Sequence, residues 1–402
     1  MKPRSISALT RREFCLNAAA AALPLPAAGQ RQSDTYAMIA AVDKAPILTA
    51  GQRALSIQPV TITAFRSPRS PGGAHDFFSQ ADYFWPNPAN PDGPYINRDG
   101  QSNPDNFNDH RKAMIALSLQ MPALTAAWRL TGDRRYSRHA ADHLRAWFVA
   151  PETRMNPNLE YAQGVHGVST GRNFGIIDTL HLVEVARAAS FIAPLELTAT
   201  EQAALNGWFA DYLHWMQTSA KGIAERDTKN NHAVCWALQA AEFARLINDE
   251  ATRKEIAKRY REVFVPDQMG PDGSFPLELK RTKPYSYSIF NFDVLAGLCQ
   301  SLLSAGDDLF AFRLPDGRGA CKAAAFLFPY LLDKNTWPYA KDVEHFDALP
   351  VRSPGLLFCG AACGQPQYIA LWKKLNPDPT DPEIIRNYPI RQPLLWYPKS
   401  SV

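Results

Sequence analysis

From Asp109 onward the chain reads in a single period. Apolar residues recur at three- and four-residue spacing, the pattern of helices that bury one face. Apolar–polar alternation is confined to Val60-Thr61-Ile62-Thr63, so the core cannot rest on a sheet. The period predicts helices over Ala113–Leu130 (kinked at Pro122, stopped by Gly132), Arg135–Phe148, Gly175–Ile192, Thr200–Lys221, Asn231–Asn248, Arg253–Val263, Ser286–Ser304, Gly319–Phe328 and Gln367–Leu375. Short links alternate with long loops rich in Gly, Pro and Asn. That asymmetry predicts stacked helical hairpins with one loop-rich rim. Closed on themselves, such hairpins form an all-α, incomplete α/α toroid with a cleft at its mouth. Upstream, Tyr36–Val42 is expected as a short helix that ends before Pro46. Residues 377–402, rich in proline, are expected as a tail over the surface.

A chain of 402 residues can bury a large core, and one domain is expected over residues 30–402. The segment before it has a different character. Arg11 and Arg12 precede an apolar run, Ala18–Leu25, and the small residues Ala27-Ala28-Gly29, the order of a twin-arginine-type export signal over residues 1–29. The run is too short to span a bilayer, so the mature chain is expected to be periplasmic or secreted, without a membrane anchor. Lys2, Arg4, Arg11 and Arg12 against Glu13 carry most of the formal charge of +4, and the remainder is close to neutral. Nothing in that balance suits nucleic acid. Cys235, Cys299, Cys321, Cys359 and Cys363 lie mostly in apolar helical context and read mainly as buried thiols. Cys359 and Cys363, one helical turn apart, are the pair expected to be open to oxidation.

Three polar constellations interrupt the helices. In Asn230-Asn231-His232 an asparagine stands where a helix N-cap belongs, with His232 in the first turn. An amide, an imidazole and the positive end of a helix together suit a carboxylate. Tyr161-Ala162-Gln163-Gly164-Val165-His166-Gly167, followed by Arg172, forms a second polar loop. Glu278, Arg281, Lys283, Tyr285 and Tyr287 crowd into a third, just before an apolar helix. A long loop with Asp82-Tyr83-Phe84-Trp85-Pro86 carries aromatic rings of the kind that stack on sugars.

Together these segments resemble the alginate-lyase-like helical polysaccharide lyases. The likeness runs from His75-Asp76-Phe77 and Asp82–Pro86 through Trp147-Phe148, Pro151–Leu159 and Gly171-Arg172. It continues through Asn230-Asn231-His232 to Leu277–Arg281 and Tyr287–Asn291. In such lyases an Asn-His pair at a helix start, an Arg and a Tyr form the catalytic set. The resemblance implies Asn231, His232, Arg281 and Tyr287 for those roles. It implies an acidic polysaccharide as partner: mannuronate-rich alginate, or glucuronan as the alternative. Trp85, Tyr161, Gln163, His166, Arg172, Asn230, Glu278 and Tyr285 are the candidate substrate contacts, with Glu278 also suited to orient Arg281.

The chemistry agrees with that set. Elimination across C4–C5 of a uronate removes the C5 proton, and charge spreads onto the carboxylate. Asn231, His232 and Arg281 can neutralise it. In mannuronate and glucuronate the proton and the leaving O4 share one face, so one tyrosine can act as base and then as acid. An Arg281 charge nearby would lower the pKa of Tyr287. No metal or cofactor is called for. Rival readings are a hydrolase using two of Asp178, Glu278 and Asp293, a sugar-binding protein without catalysis, and a zinc site on His232 and Cys235, which lacks a clear third ligand. Tyr287 and Arg281 singly also fit a core tyrosine and a surface ion pair.

Overall fold

The computed structural model describes residues 28–303 and 307–399. The export signal assigned to residues 1–29 lies, but for its last two residues, outside that range. The helices are α1 (Ala28–Val42), α2 (Lys44–Ala54), α3 (Asp109–Thr131), α4 (Arg134–Leu144), α5 (Leu182–Glu196), α6 (Ala199–Thr218), α7 (Ala220–Arg226), α8 (Asn231–Leu246), α9 (Glu250–Arg259), α10 (Pro276–Leu279), α11 (Pro284–Leu302), α12 (Ala320–Leu332), α13 (Pro354–Ala362), α14 (Pro366–Lys374) and α15 (Pro382–Arg386). Four short strands accompany them: β1 (Phe78–Gln80), β2 (Phe84–Trp85), β3 (Ile96–Asn97) and β4 (Tyr161–Gly164).

Neighbour relations give the architecture. α3, α5, α8, α11 and α13 pack each on the next and form an inner row. α2 and α4 cover α3 from outside, α6 and α9 cover α8, α12 covers α11, and α14 covers α13. This is the incomplete α/α toroid. The inner helices explain their own composition. α8 and α11 are apolar on nearly every face because both sides are covered, and Phe243, Phe292, Leu238 and Val294 are fully or almost fully buried. The row is open between α13 and α3. There α1 touches α13, and the turn Pro393–Trp396 touches α1, α3 and α5.

Local chemistry accounts for most helix ends. Gly132 takes φ +72° and its N–H returns to the Trp128 carbonyl, which stops α3 at the expected glycine. α6 starts at a capping box, Thr198 with Glu201, two residues before the start read from sequence. α1 ends at Val42, before Pro46 as expected, although it starts well upstream of Tyr36; Pro46 itself sits in the first turn of α2, where a missing N–H costs nothing. Other expectations fail for definable reasons. The helix expected from Thr200 breaks at Ser219, which caps α7. Residues 173–181 form a 3₁₀ segment, so α5 begins at Leu182 rather than Gly175. The loop around 161–164, read as irregular, is β4, paired parallel with β1 in the register Phe78↔Tyr161 and Gln80↔Gly164.

The cysteines need one correction. Cys235, Cys299 and Cys359 are buried free thiols, but Cys363 is joined to Cys321, not oxidised with Cys359. Cys359 faces the core beside the Ala320 carbonyl, while Cys363 caps the end of α13 facing α12. The C-terminal segment is also more than a surface tail. Glu184, fully buried, accepts the backbone N–H groups of Arg391 and Gln392 and the Trp396 indole N–H. Trp396 lies under the Arg187 guanidinium, 4.0 Å away, and Leu394, Leu395 and Tyr397 are core residues.

Candidate active site

A cleft of about 320 Å³ opens where the N-terminal end of α8, the α10–α11 turn, β4 and the Asp82–Asp99 loop meet. That size suits a sugar unit or two. Gln163, Arg172, Asn230, Asn231, His232, Arg281 and Tyr287 all line it.

Asn230 caps α8, its side-chain oxygen accepting the His232 N–H at 3.4 Å. The helix end is not free for an external anion, as the sequence had suggested. Glu278, buried, accepts the Asn231 backbone N–H at 2.8 Å and the Asn231 side-chain amide at 2.7 Å. Glu278 thus positions Asn231, not Arg281, and leaves the amide one N–H for substrate. Burial raises the Glu278 carboxyl above its ordinary pKa, opposed by the Asn231 hydrogen bonds.

His232 is held from below by Glu225, a fully buried carboxylate 2.5 Å from Nδ1. Glu225 also accepts from Asn173 Nδ2 at 3.0 Å. A proton on Nδ1 shared with Glu225 leaves Nε2 as the imidazole's other polar atom. The Phe174 ring meets the imidazole edge-on at 4.9 Å.

Arg281 lies with its guanidinium carbon 4.4 Å from the Tyr287 ring centre and donates to the Tyr287 hydroxyl at 3.4 Å. Its stronger partner is Asp99, at 2.7 Å. Tyr287 also pairs with Tyr83, the two hydroxyl oxygens 3.0 Å apart. Tyr83 in turn receives a hydrogen bond from Arg386 at 3.3 Å, with Lys283 Nζ 5.5 Å from its ring. Burial pushes the Tyr287 phenol above its ordinary pKa near 10, Tyr83 adds to the rise, and Arg281 opposes it without winning. The expected lowering by Arg281 is therefore present as a force but not as the net result.

Gln163 is the one strained residue of the wall. It adopts φ +51°, a left-handed conformation uncommon outside glycine. It is fixed there because its N–H donates to Ser79 Oγ, its amide to Asp178, and its carbonyl and side-chain oxygens both accept from Arg172. Arg172 is sandwiched between Phe84 and Phe174, at 4.8 and 5.3 Å. The other guanidinium groups of the cleft have carboxylate partners: Arg111 has Asp82, Arg281 has Asp99, and Arg386 has Asp82 and Glu383. Among the described residues Arg172 has none within ion-pair reach. Asp82, caught between Arg111 and Arg386, is held down at a pKa of about 2 although burial works the other way.

Other candidates fall outside. Tyr285 is fully buried, its N–H on Asp342 and its hydroxyl on the Tyr330 carbonyl, so it cannot touch substrate. Trp85 is half-buried beside the cleft, bonded to the Gln101 carbonyl with Arg98 over its ring. Tyr161 packs against Gly72. His166 stands in a separate groove with Arg69, against the Tyr95 ring. Of the residues named for rival readings, Asp293 is buried under Ser353 and Gly355, away from the cleft, and Cys235 is a buried residue of α8 that does not line the cleft. Among the described residues no cluster of His, Cys, Asp and Glu could hold a metal ion, and no helix is long and apolar enough to cross a membrane. Sequence reasoning missed Tyr83, Asp99, Glu225 and Arg386. Tyr83 lay inside a segment already singled out for Trp85; the other three carried no local signal.

The family model described as alginate lyase matches residues 61–337. A crystal structure of an alginate lyase from Bacteroides ovatus is 28% identical, superposes with a TM-score of 0.76, and covers 90% of this chain and 97% of that one. Alginate lyase A1-III from Sphingomonas species A1 shares the fold at 13% identity and a TM-score of 0.51, over 78% of this chain and 85% of that one. A variant of A1-III complexed with a tetrasaccharide is similar at 15% identity and a TM-score of 0.56, over 92% and 96%. No curated protein sequence matches. With an α/α toroid and a family match over most of its length, the chain belongs to the alginate lyase family and is a polysaccharide lyase.

Proposed function

We propose that the chain cleaves a 1,4-linked uronan, mannuronate-rich alginate, by β-elimination in this cleft. One observation carries the reading: Asn231, His232, Arg281 and Tyr287 converge on a cavity whose Arg172 has no carboxylate partner. A half-desolvated guanidinium bonded to the Gln163 oxygens but to no carboxylate favours an arriving carboxylate. In this reading Arg172 and the remaining Asn231 N–H hold the C5 carboxylate, with His232 beside it. Charge that develops there as the C5 proton leaves meets donors already in place.

The active form is the one in which the Tyr83–Tyr287 pair has lost one proton to solvent. Arg281 at 3.4 Å and Arg386 at 3.3 Å stabilise the resulting phenolate. Tyr287 takes the C5 proton and returns it to O4 as the glycosidic bond breaks, leaving a C4–C5 double bond. Because one group serves both steps, the reaction is syn, which fits mannuronate and also glucuronate. The Alginate lyase family match and the tetrasaccharide bound by the A1-III variant support an acidic polysaccharide as substrate.

The proposal includes export by the twin-arginine-type segment to the periplasm or beyond. The Cys321–Cys363 disulfide fits an oxidising compartment. The test is ultraviolet absorbance of the unsaturated end on poly-mannuronate, poly-guluronate and glucuronan. Poly-mannuronate should give the highest initial rate. Preference for poly-guluronate, whose proton and leaving group lie on opposite faces, would overturn the single-tyrosine scheme.

A further inference from the structure

A second cavity, about 720 Å³, lies between α2, α3 and the C-terminal segment. Its floor is Arg391, whose charge nothing in the lyase reading uses. The Arg391 side chain makes one hydrogen bond, from Nη2 to the Ile385 carbonyl, and stacks on Tyr388 at 5.2 Å. Its Nε is buried without a partner. Among the described residues no carboxylate is within ion-pair reach of it. Glu184, close behind, already accepts two backbone N–H groups and an indole N–H, and burial lifts its pKa to about 7. Burial pushes the Arg391 pKa itself down to about 10, and Tyr388, Glu184 and Asp378 oppose the fall without reversing it.

The rest of the cavity sorts by chemistry. Asp43 is consumed by Arg352 at 2.5 Å, and Asp378 stands exposed at the rim. Arg53, on α2, adds a further positive charge with no ion-pair partner among the described residues. Ile47, Leu119 and Pro379 supply an apolar wall, while the amides of Gln120 and Gln392 have no side-chain hydrogen bonds among the described residues. A half-buried guanidinium without a carboxylate at ion-pair distance, free amides and an apolar wall match a carboxylate, hydroxyls and a sugar ring face.

We propose that this cavity binds a small carboxylate-bearing sugar of the uronic acid type, at a site separate from the cleft. The inference rests on Arg391 and its surroundings and stands whether or not the cleft acts as proposed. The probe is sodium glucuronate, titrated calorimetrically into full-length protein carrying Arg172→Ala, which weakens binding in the cleft. Binding should persist in that background, and glucose should give none. Adding Arg391→Gln should weaken it at least about tenfold, the scale of a lost charge-assisted hydrogen bond. Arg391 also braces the C-terminal segment through the Ile385 carbonyl, so Leu119→Glu provides the independent arm. Leu119 is 37% exposed, its replacement leaves the core intact, and a carboxylate at the rim should weaken glucuronate to a similar degree. No binding at millimolar glucuronate, equal binding of glucose, or an affinity unmoved by Leu119→Glu would each overturn the proposal.

Discussion

Replacing Glu225 by Gln tests the geometry beneath His232. Glu225 is fully buried and has no lysine or arginine within ion-pair reach among the described residues. Its carboxylate meets His232 Nδ1 at 2.5 Å and Asn173 at 3.0 Å, and nothing of it reaches the cleft wall. The substitution keeps length and shape, removes the charge and turns one of the two acceptor oxygens into a donor, so the bond to His232 or to Asn173 is lost. A hydrogen bond with an ionised partner is worth roughly 1.5–3 kcal/mol. If that energy is realised as His232 meets the developing carboxylate charge, kcat falls by about 10- to 150-fold. KM should stay within about twofold, because the sugar never touches Glu225. Stability should change little, since the lost hydrogen bond is offset by removal of a buried charge. The assay is initial-rate absorbance on poly-mannuronate, with thermal unfolding measured alongside. A kcat within about threefold of the parent, in a folded variant, would refute the claim that Glu225 sets His232 for catalysis.

Three further outcomes follow from the site. Tyr287→Phe should abolish elimination while polymer binding remains, whereas Tyr285→Phe should keep most of its rate and lose about 1 kcal/mol of stability with its bond to the Tyr330 carbonyl; urea unfolding and initial rates separate the two. Because burial raises the Tyr287 phenol above its ordinary value, the reactive phenolate is a minority at neutral pH and grows as pH rises. The log of kcat/KM should therefore climb with pH without a plateau below about pH 10, and a plateau near neutrality would transfer the base role to His232. Exhaustive chelation should leave the rate unchanged, since every neutralising group in the scheme is a side chain; loss restored by added calcium or zinc would break it.

What the sequence made legible follows from range. The α8 cap, the Gly132 stop and the split between Tyr285 and Tyr287 are local. Two residues apart at a helix start point roughly 200° from one another, and with α11 beginning at Pro284 one ring goes to the core and the other to the cleft. Glu225 precedes His232 by seven residues, but the chain turns between α7 and α8, so no helical period links them. Asp99 reaches Arg281 across 182 positions. The Glu278 carboxylate was visible as a residue in the right loop, yet its partner was assigned wrongly. Choosing between Asn231 and Arg281 depends on the path of the α10 turn, which proline and glycine content does not encode.

The C-terminal segment shows why composition misleads at this rim. Proline-rich sequence has few backbone donors and no helical period, so it reads as a wrapping tail. In the structure those same properties let it act as a filler. The five inner helices leave a seam between α13 and α3, and a helix there would need a face complementary to both. An irregular segment needs only its own N–H groups satisfied, and Glu184 satisfies those of Arg391 and Gln392. Once anchored, the segment, with the short α15 ahead of it, presents residues to two cavities. Arg386 and Asn387 line the cleft, while Ile385, Tyr388 and Arg391 line the other. Closure of the ring and the charge at Tyr83 therefore depend on one stretch of chain. The Arg386 guanidinium at the active-site phenols is held by Asp82 and Glu383, and Glu383 in turn by Lys283. The charge set of the cleft is thus assembled from residues about 80, 280 and 380, which only the folded toroid brings together.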